Sequence, residues 1–307
     1  MEDGKVFDIL IIGGGPAGYT AALYGARAGL STAVIERYAA GGQMCLTSTI
    51  DNYPGVEAGI DGYSLGQRMR AAAEASGAVT IETEVKSASL GGRIKSAVTD
   101  KGTLSGRTII IATGAKHRQL GIEREEELTG SGVGYCAVCD GMLYKGKVTA
   151  VVGGGDSAAA DALYLSKICS KVILVHRGAT LRAKKIYAEQ LAAAENVEIR
   201  LNSVVSALSG GELLDGIRVK GGAGTEEDIP CDGLFVCIGR TPETDIFAGQ
   251  LELSEGGYIA ADESTRTSSE GVFAAGDVRT KSVRQIVTAT ADGAAAVHFA
   301  EEYLSGR

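Results

Sequence analysis

The chain lacks what several function classes need. No apolar run approaches the length of a membrane span, so no transmembrane helix is expected. Positive charge is not in excess: 30 Lys and Arg against 38 Asp and Glu give a formal charge of −8. That removes the electrostatic ground for binding nucleic acid or an anionic membrane. Histidine is scarce, and His117, His176 and His298 stand singly. Proline is scarce too, four residues against 44 glycines, which points to tight backbone approaches and not to a disordered low-complexity chain. Met1 to Asp8 is polar and acidic, and the next apolar run, Ile9 to Ile12, meets glycine after four residues. It reads as a buried first strand and not as a signal peptide. A cytoplasmic location is therefore expected, where paired cysteines are more often catalytic than structural.

The glycines present are arranged. After the strand Phe7 to Ile12 comes Gly13-Gly14-Gly15-Pro16-Ala17-Gly18, then a small-residue helix to about Ala28, then a strand Thr32 to Ile35 ending at Glu36. Strand, G-x-G-x-x-G, helix, strand and terminal acid stand in the order of a dinucleotide-binding βαβ unit. Gly13 permits the tight turn, Gly15 lets a pyrophosphate approach the backbone, and Gly18 lets helix and strand pack closely. The helix N-terminus then supports the phosphate charge.

A second unit repeats the pattern. Val148 to Val152 is a strand, Gly153-Gly154-Gly155-Asp156-Ser157-Ala158 is the loop, and a helix and the strand Lys171 to Val175 lead to His176-Arg177. Alanine at Ala158 is tolerated in place of the third glycine. Glu36 lies 23 residues after Gly13, and His176 lies 23 after Gly153. An acid at the strand end accepts hydrogen bonds from a free ribose 2′-hydroxyl and repels a 2′-phosphate, whereas Arg177 and Arg182 could bind one. The first site suits FAD and the second NADPH, so the chain is built to pass electrons between two cofactors. An α/β architecture with two Rossmann-like domains is expected.

Three further runs end in glycine turns. Thr108 to Ala112 leads into Thr113-Gly114, Gly233 to Ile238 into Gly239-Arg240, and Gly271 to Ala275 into Gly276-Asp277. Ala112, Thr113, Gly114 and Gly276 are candidate cofactor contacts, and the Asp277 carboxylate could bind the ribityl chain of a flavin.

Of six cysteines, only Cys136 and Cys139 have C-x-x-C spacing. A zinc half-site needs two further ligands, and Cys45, Cys169, Cys231 and Cys237 form no second close pair. Two unrelated buried thiols or a structural disulfide remain open as alternatives. A redox pair is the coherent reading beside a flavin and a nicotinamide site: it would take two electrons and reduce another disulfide by exchange. Asp140, next to Cys139, can supply or take the proton.

At Tyr135-Cys136-Ala137-Val138-Cys139-Asp140-Gly141, Gly41-Gly42-Gln43-Met44, Asn52-Tyr53-Pro54-Gly55, Gly276-Asp277-Val278 and Arg284-Gln285, the sequence resembles low-molecular-weight thioredoxin reductases. The resemblance runs through nearly the whole chain. It implies an NADPH domain, about 117–244, inserted into an FAD domain of about 1–116 and 245–307, and a homodimer that reduces thioredoxin or a thioredoxin-like protein. By matching position, Gly42, Gln43, Asn52, Asp277, Arg284 and Gln285 would contact FAD, Cys139 would face the flavin, Cys136 would attack thioredoxin and Asp140 would be the acid/base. The family commonly has Thr at Val138, a second arginine at Gly178 and an acid at Ala160, which Asp161 follows here. The last two departures leave NADPH expected, with NADH possible. A flavin-dependent dithiol oxidase is the rival reading, but it would need no nicotinamide loop. An alkyl hydroperoxide reductase flavoprotein would need an additional N-terminal thioredoxin-like region, and the flavin fingerprint already begins at Gly13.

Overall fold

The computed structural model describes residues 5–47, 49–222 and 224–306. They form two compact units, one from the described residues up to 116 and from 241 on, and the other from those between 117 and 240. The second is thus an insertion in the first.

The first unit opens with β1 (Val6–Ile12), α1 (Pro16–Arg27) and β2 (Thr32–Glu36), with β1 and β2 parallel and Ile9 opposite Thr32. α2 (Gly62–Ala75) begins at Asp61, whose side chain accepts from the Ser64 amide at 2.8 Å, an N-cap. β3 (Val79–Glu82), β4 (Val85–Ser89), β5 (Lys95–Thr99) and β6 (Gly102–Ile111) complete a sheet ordered β3-β2-β1-β6-β5-β4. Neighbouring residues of β1 serve opposite faces. Ile9 and Ile11 pack with Val34 and Ile110 on one side, and Leu10 and Ile12 with Ile35, Ile109 and Ile111 on the other. Apolar residues at every position therefore mark a parallel sheet covered on both sides.

After β7 (Ala115–His117), the second unit begins with β8 (Val133–Gly134) and the four-residue helix α3 (Ala137–Asp140). β9 (Val148–Val152), α4 (Asp156–Ser166), β10 (Lys171–Val175), α5 (Lys185–Ala193) and β11 (Val197–Arg200) follow. β12 (Ser203–Gly210), β13 (Leu214–Gly221) and β14 (Glu226–Pro230) form an antiparallel sheet before β15 (Gly233–Val236) returns to the parallel one, ordered β11-β10-β9-β15-β8. Again both faces are apolar: Ala150 and Val152 join one cluster, Val151 the other, beneath Ala158, Ala162 and Leu165 of α4.

The chain re-enters the first unit through β16 (Arg240–Pro242), which pairs with β7. The changeover falls at Arg240–Thr241, a few residues before the boundary read from the sequence, because Thr241 and Pro242 already belong to this pairing. β17 (Val272–Ala274) joins β6 in parallel, and α6 (Ile286–Ser305) lies on α1. A Cβ on Gly293 of α6 would stand 2.3 Å from the Ala17 carbonyl oxygen, so only glycine allows this approach. No helix among the described residues is long and apolar enough to cross a membrane.

Candidate functional site

Each nucleotide-type loop is shaped by glycines with different tasks. Gly13 and Gly153 have φ of 107° and 153°, and a Cβ on either would stand 2.4 Å from a carbonyl oxygen, of Ala112 and Cys237 respectively. A Cβ on Gly18 would fall 1.9 Å from the Gly13 carbonyl oxygen, whereas Ala158 fits at the matching place in the second loop. Gly15 and Gly155, which precede α1 and α4, face open space, with nothing within 4 Å of a built Cβ. Each loop therefore leaves a gap at a helix N-terminus, where backbone amides can meet an anion. Pro16 starts α1, where its missing N–H leaves no bond unmade.

In the first unit Glu36 is buried at the end of β2, and its carboxylate accepts from the Gly14 amide at 2.5 Å and the Tyr38 amide at 2.9 Å. Expected as a ribose acceptor, it also holds its own glycine loop. Gly41 donates its amide to the Gly14 carbonyl at 2.8 Å, and Gly42 lies beside Gly15. Gln43 is exposed in the short turn that follows. Asn52 and Gln285, far apart in sequence, meet through Asn52 Nδ2 donating to Gln285 Oε1 at 3.2 Å. Arg284 lies over the Tyr258 ring at 4.2 Å, and its Nε is buried without a hydrogen-bond partner. Gly276 (φ 82°) packs against Ala17, one residue before the half-buried Asp277. Thr113 Oγ1 donates to the Glu243 carbonyl, and the Glu243 amide to the Gly114 carbonyl, tying this turn to the returning chain.

In the second unit His176 is buried between two glycines. A Cβ on Gly154 would stand 2.2 Å from its ring and one on Gly178 2.8 Å from its Nε2. Burial, with the nearby Arg182 and Arg177 charges, holds the imidazole below its ordinary pKa, so it is neutral at pH 7. The Arg182 amide donates to the Gly154 carbonyl at 2.6 Å, and the Lys184 amide to Asp156 at 2.8 Å. These bonds dock the segment after His176 onto the phosphate-type loop. Arg177 and Arg182 are exposed there, and neither guanidinium has an ion-pair partner among the described residues. Asp156 is turned toward Lys184, and Ser157 is exposed in the first turn of α4.

Cys136 and Cys139 are joined as a disulfide, with Cα atoms 5.3 Å apart. Cys136 caps α3, and the amides of Cys139 and Asp140 both donate to its carbonyl at 3.1 Å. Burial alone pushes the Asp140 carboxyl up to about 6, within reach of a neutral-pH proton exchange. Burial raises all four remaining thiols, Cys231 to about 12. Among the described residues no three His, Cys, Asp or Glu side chains are gathered to hold a metal.

Residues 7–293 match the family described as pyridine nucleotide-disulphide oxidoreductase. The chain belongs to that family. The resemblance read from the sequence is borne out. The chain is 44% identical over 306 residues to a thioredoxin reductase of Listeria monocytogenes, covering 98% of this chain and 94% of the relative. The solved thioredoxin reductase of Streptococcus pyogenes is similar with a TM-score of 0.92 and 41% identity, over 98% of this chain and 99% of that one. A Pseudomonas fluorescens protein named glucosaminate ammonia-lyase is 39% identical over 306 residues, covering 97% and 96%.

Sequence reasoning missed several supports of this family's site. Glu125 is buried and accepts from the Leu120 and Gly121 amides and from the Tyr135 hydroxyl, and His117 stacks on Tyr135 at 4.9 Å, just before Cys136. Asp292 of α6 accepts from the Gly276 amide and from Arg279 and Lys281. These partners are 4 to 18 residues apart with no recurring spacing, and charged side chains ordinarily read as solvated. Nothing local announced them.

Proposed function

We propose that the chain is an NADPH-dependent thioredoxin reductase. In this reading FAD is held by the unit of residues 1–116 and 241–307, and NADPH by the inserted unit. The arrangement that carries it is a Cys136–Cys139 disulfide followed by an acid raised to about 6, in the unit that also bears the second nucleotide-type loop and two exposed arginines, Arg177 and Arg182. The names of the curated relatives support it.

The open spaces at Gly15 and Gly155 and the unpartnered Arg284 Nε fit two dinucleotides. Gly13, Gly18, Ala112, Gly42, Gln43, Asn52, Asp277, Arg284 and Gln285 would hold FAD. Gly153, Ser157, Ala158, Arg177 and Arg182 would hold NADPH, with the arginines on the 2′-phosphate. The bound flavin supplies the step that relays a hydride equivalent from the nicotinamide to a disulfide.

The rest is the work of this chain's residues. Two electrons and two protons convert the Cys136–Cys139 bond to a dithiol, and Cys136 passes its proton to Asp140 to become the attacking thiolate. The Cys136 thiolate attacks the thioredoxin disulfide, forming a mixed disulfide and expelling one thioredoxin sulfur, which takes a proton from Asp140. Cys139 then attacks Cys136, releases the second thioredoxin sulfur and restores the bridge. A homodimer in the cytoplasm is part of the same reading.

Anaerobic titration of the purified protein with NADPH, and separately NADH, followed by flavin absorbance and then by thioredoxin addition, tests it. Flavin and disulfide together accept four electrons, so full bleaching by about two equivalents of NADPH and recovery on adding oxidised thioredoxin are expected. A protein that binds no flavin, or whose reduced form ignores thioredoxin, refutes it. Ammonia release from glucosaminate would favour the lyase named among the relatives.

A further inference from the structure

Behind the cysteine segment lies a half-buried thiol–carboxyl pair that disulfide exchange does not use. Cys237 follows β15 with its amide on the Val152 carbonyl at 2.8 Å and its own carbonyl under Gly153. Its Sγ donates to Asp161 Oδ2 at 3.0 Å. Asp161 stands on α4, whose Ala158 and Ala162 share one apolar cluster with Cys237 and with Ala137, the residue after Cys136. Burial raises the Asp161 carboxyl, against the Cys237 thiol, the Ala137 amide and the Arg240 guanidinium, which favour its charge. Burial and the Asp161 charge push the Cys237 thiol well up, so it stays protonated and donates. The thiol–carboxyl bond thus ties α4 to the chain just after β15, inside the cluster that also holds Ala137, the first residue of α3. The other thiol of this cluster, Cys169, donates instead to the Tyr144 carbonyl at 3.3 Å.

We propose that Asp161, held in place by Cys237, is a positioning residue for the cysteine pair: it fixes the segment at Ala137 and sets a negative charge behind Cys136 that restrains thiolate formation in the reduced enzyme. The proposal rests on the reading of Cys136–Cys139 as the redox couple. A neutral residue at 161 would favour the thiolate, speed its alkylation and stabilise the dithiol over the disulfide.

The experiment compares the purified, flavin-loaded wild type with D161N, C237A and C169A. Each is reduced with dithiothreitol, freed of it and alkylated with iodoacetamide across pH. Peptide mapping scores Cys136 and Cys139 separately, and the dithiol–disulfide ratio is measured in glutathione buffers. D161N is expected to alkylate at Cys136 about threefold or more faster at pH 7, with its pH midpoint lowered and the glutathione equilibrium moved toward dithiol. C237A should change both readings in the same direction by less, because its Asp161 loses a donor and protonates more readily, and C169A should match wild type. Unchanged alkylation and equilibrium in folded D161N overturn the proposal. If D161N does not fold, an unchanged C237A does so. Neither reading requires thioredoxin or nucleotide, so this failure leaves the reductase assignment standing. A Cys136–Cys139 pair that never forms a disulfide in glutathione would refute that assignment instead.

Discussion

The imidazole Nε2 of His176 lies 2.8 Å from where Gly178 would carry a β-carbon, and the opposite wall of the ring's slot is Gly154 in the phosphate-type loop. Gly178 is not in the left-handed region, so its backbone accepts any residue and only the ring resists a side chain. This separates two effects at the position where the family commonly has arginine. Gly178→Ala isolates the steric one: the ring must shift toward Gly154, costing about 1–3 kcal/mol of stability and raising KM for both nucleotides. Gly178→Arg adds a charge-assisted donor worth about 1.5–3 kcal/mol, about tenfold or more in NADPH over NADH preference relative to the alanine variant. Wild type should prefer NADPH through Arg177 and Arg182, use NADH measurably and lose preference as salt rises. Steady-state kinetics with both nucleotides at two ionic strengths decide; equal use of NADH by wild type would show that the two arginines do not select the phosphate.

Asp140 makes opposite demands on stability and catalysis. Its folded pKa of about 6 lies above the ordinary carboxylate value, so the folded state holds the proton more tightly than the unfolded chain does. Stability therefore falls as pH rises from about 4 to about 6, because a buried carboxyl is being charged. Asp140→Asn removes that cost. Its stability should match wild type at pH 4 and exceed it at pH 7.5 by about 1–2 kcal/mol allowing for solvent access, read from thermal unfolding at the two pH values. Thioredoxin turnover should drop by roughly 10²-fold, and the wild-type inflection near pH 6 should vanish. A melting difference independent of pH would contradict the burial argument.

The two glycine loops were legible because strand, loop, helix and second strand follow one another within about 30 residues, even though the carbonyls that bar a Cβ at Gly13 and Gly153 come from distant Ala112 and Cys237. The cysteine segment was legible for a similar reason, since spacing and the next acid define its chemistry. The antiparallel β4 and β12–β14 were not, because their half-exposed residues lack the continuous apolar signal of β1, β2 or β9. Pairings such as Asn52 with Gln285, or Asp161 with Cys237, depend on tertiary packing and leave no local trace. Even Gly178, visible as a departure, gave no hint that His176 occupies the space beside it.

Asp292 anchors the Gly276–Asp277 turn by accepting its amide while neutralising two buried cations, Arg279 at 2.7 Å and Lys281 at 2.8 Å. Burial opposes its charge, yet these partners hold its carboxyl below the ordinary range. Its stabilisation is therefore complete above about pH 4 and is lost as pH falls through the lowered folded value. Asp292→Asn removes the ion-pair partner of Lys281, leaves Arg279 only the exposed Glu263, and should cost about 3–5 kcal/mol. It should also weaken flavin retention on dilution, since the turn loses its tie. Lys281→Gln leaves the bidentate Arg279 pair intact and should cost less. Equal melting of D292N and K281Q would mean that the Arg279 pair contributes nothing measurable.

The two cysteines should be distinguishable by a spectroscopic signature as well as by lost turnover. Either Cys136→Ser or Cys139→Ser removes the disulfide, and thioredoxin reduction should fall by at least about a thousandfold while the flavin is still bleached by NADPH. In C136S the remaining Cys139 thiolate, if it is the sulfur that faces the flavin, should add a long-wavelength charge-transfer absorbance to the oxidised cofactor. The band should grow with pH as the thiol ionises. In C139S the remaining Cys136 faces the exchange partner, so the band should be absent and the thiol should trap an activated thioredoxin as a stable mixed disulfide. A band in C139S and not in C136S would exchange the two roles. Full thioredoxin turnover in either variant would remove the pair from the electron path altogether.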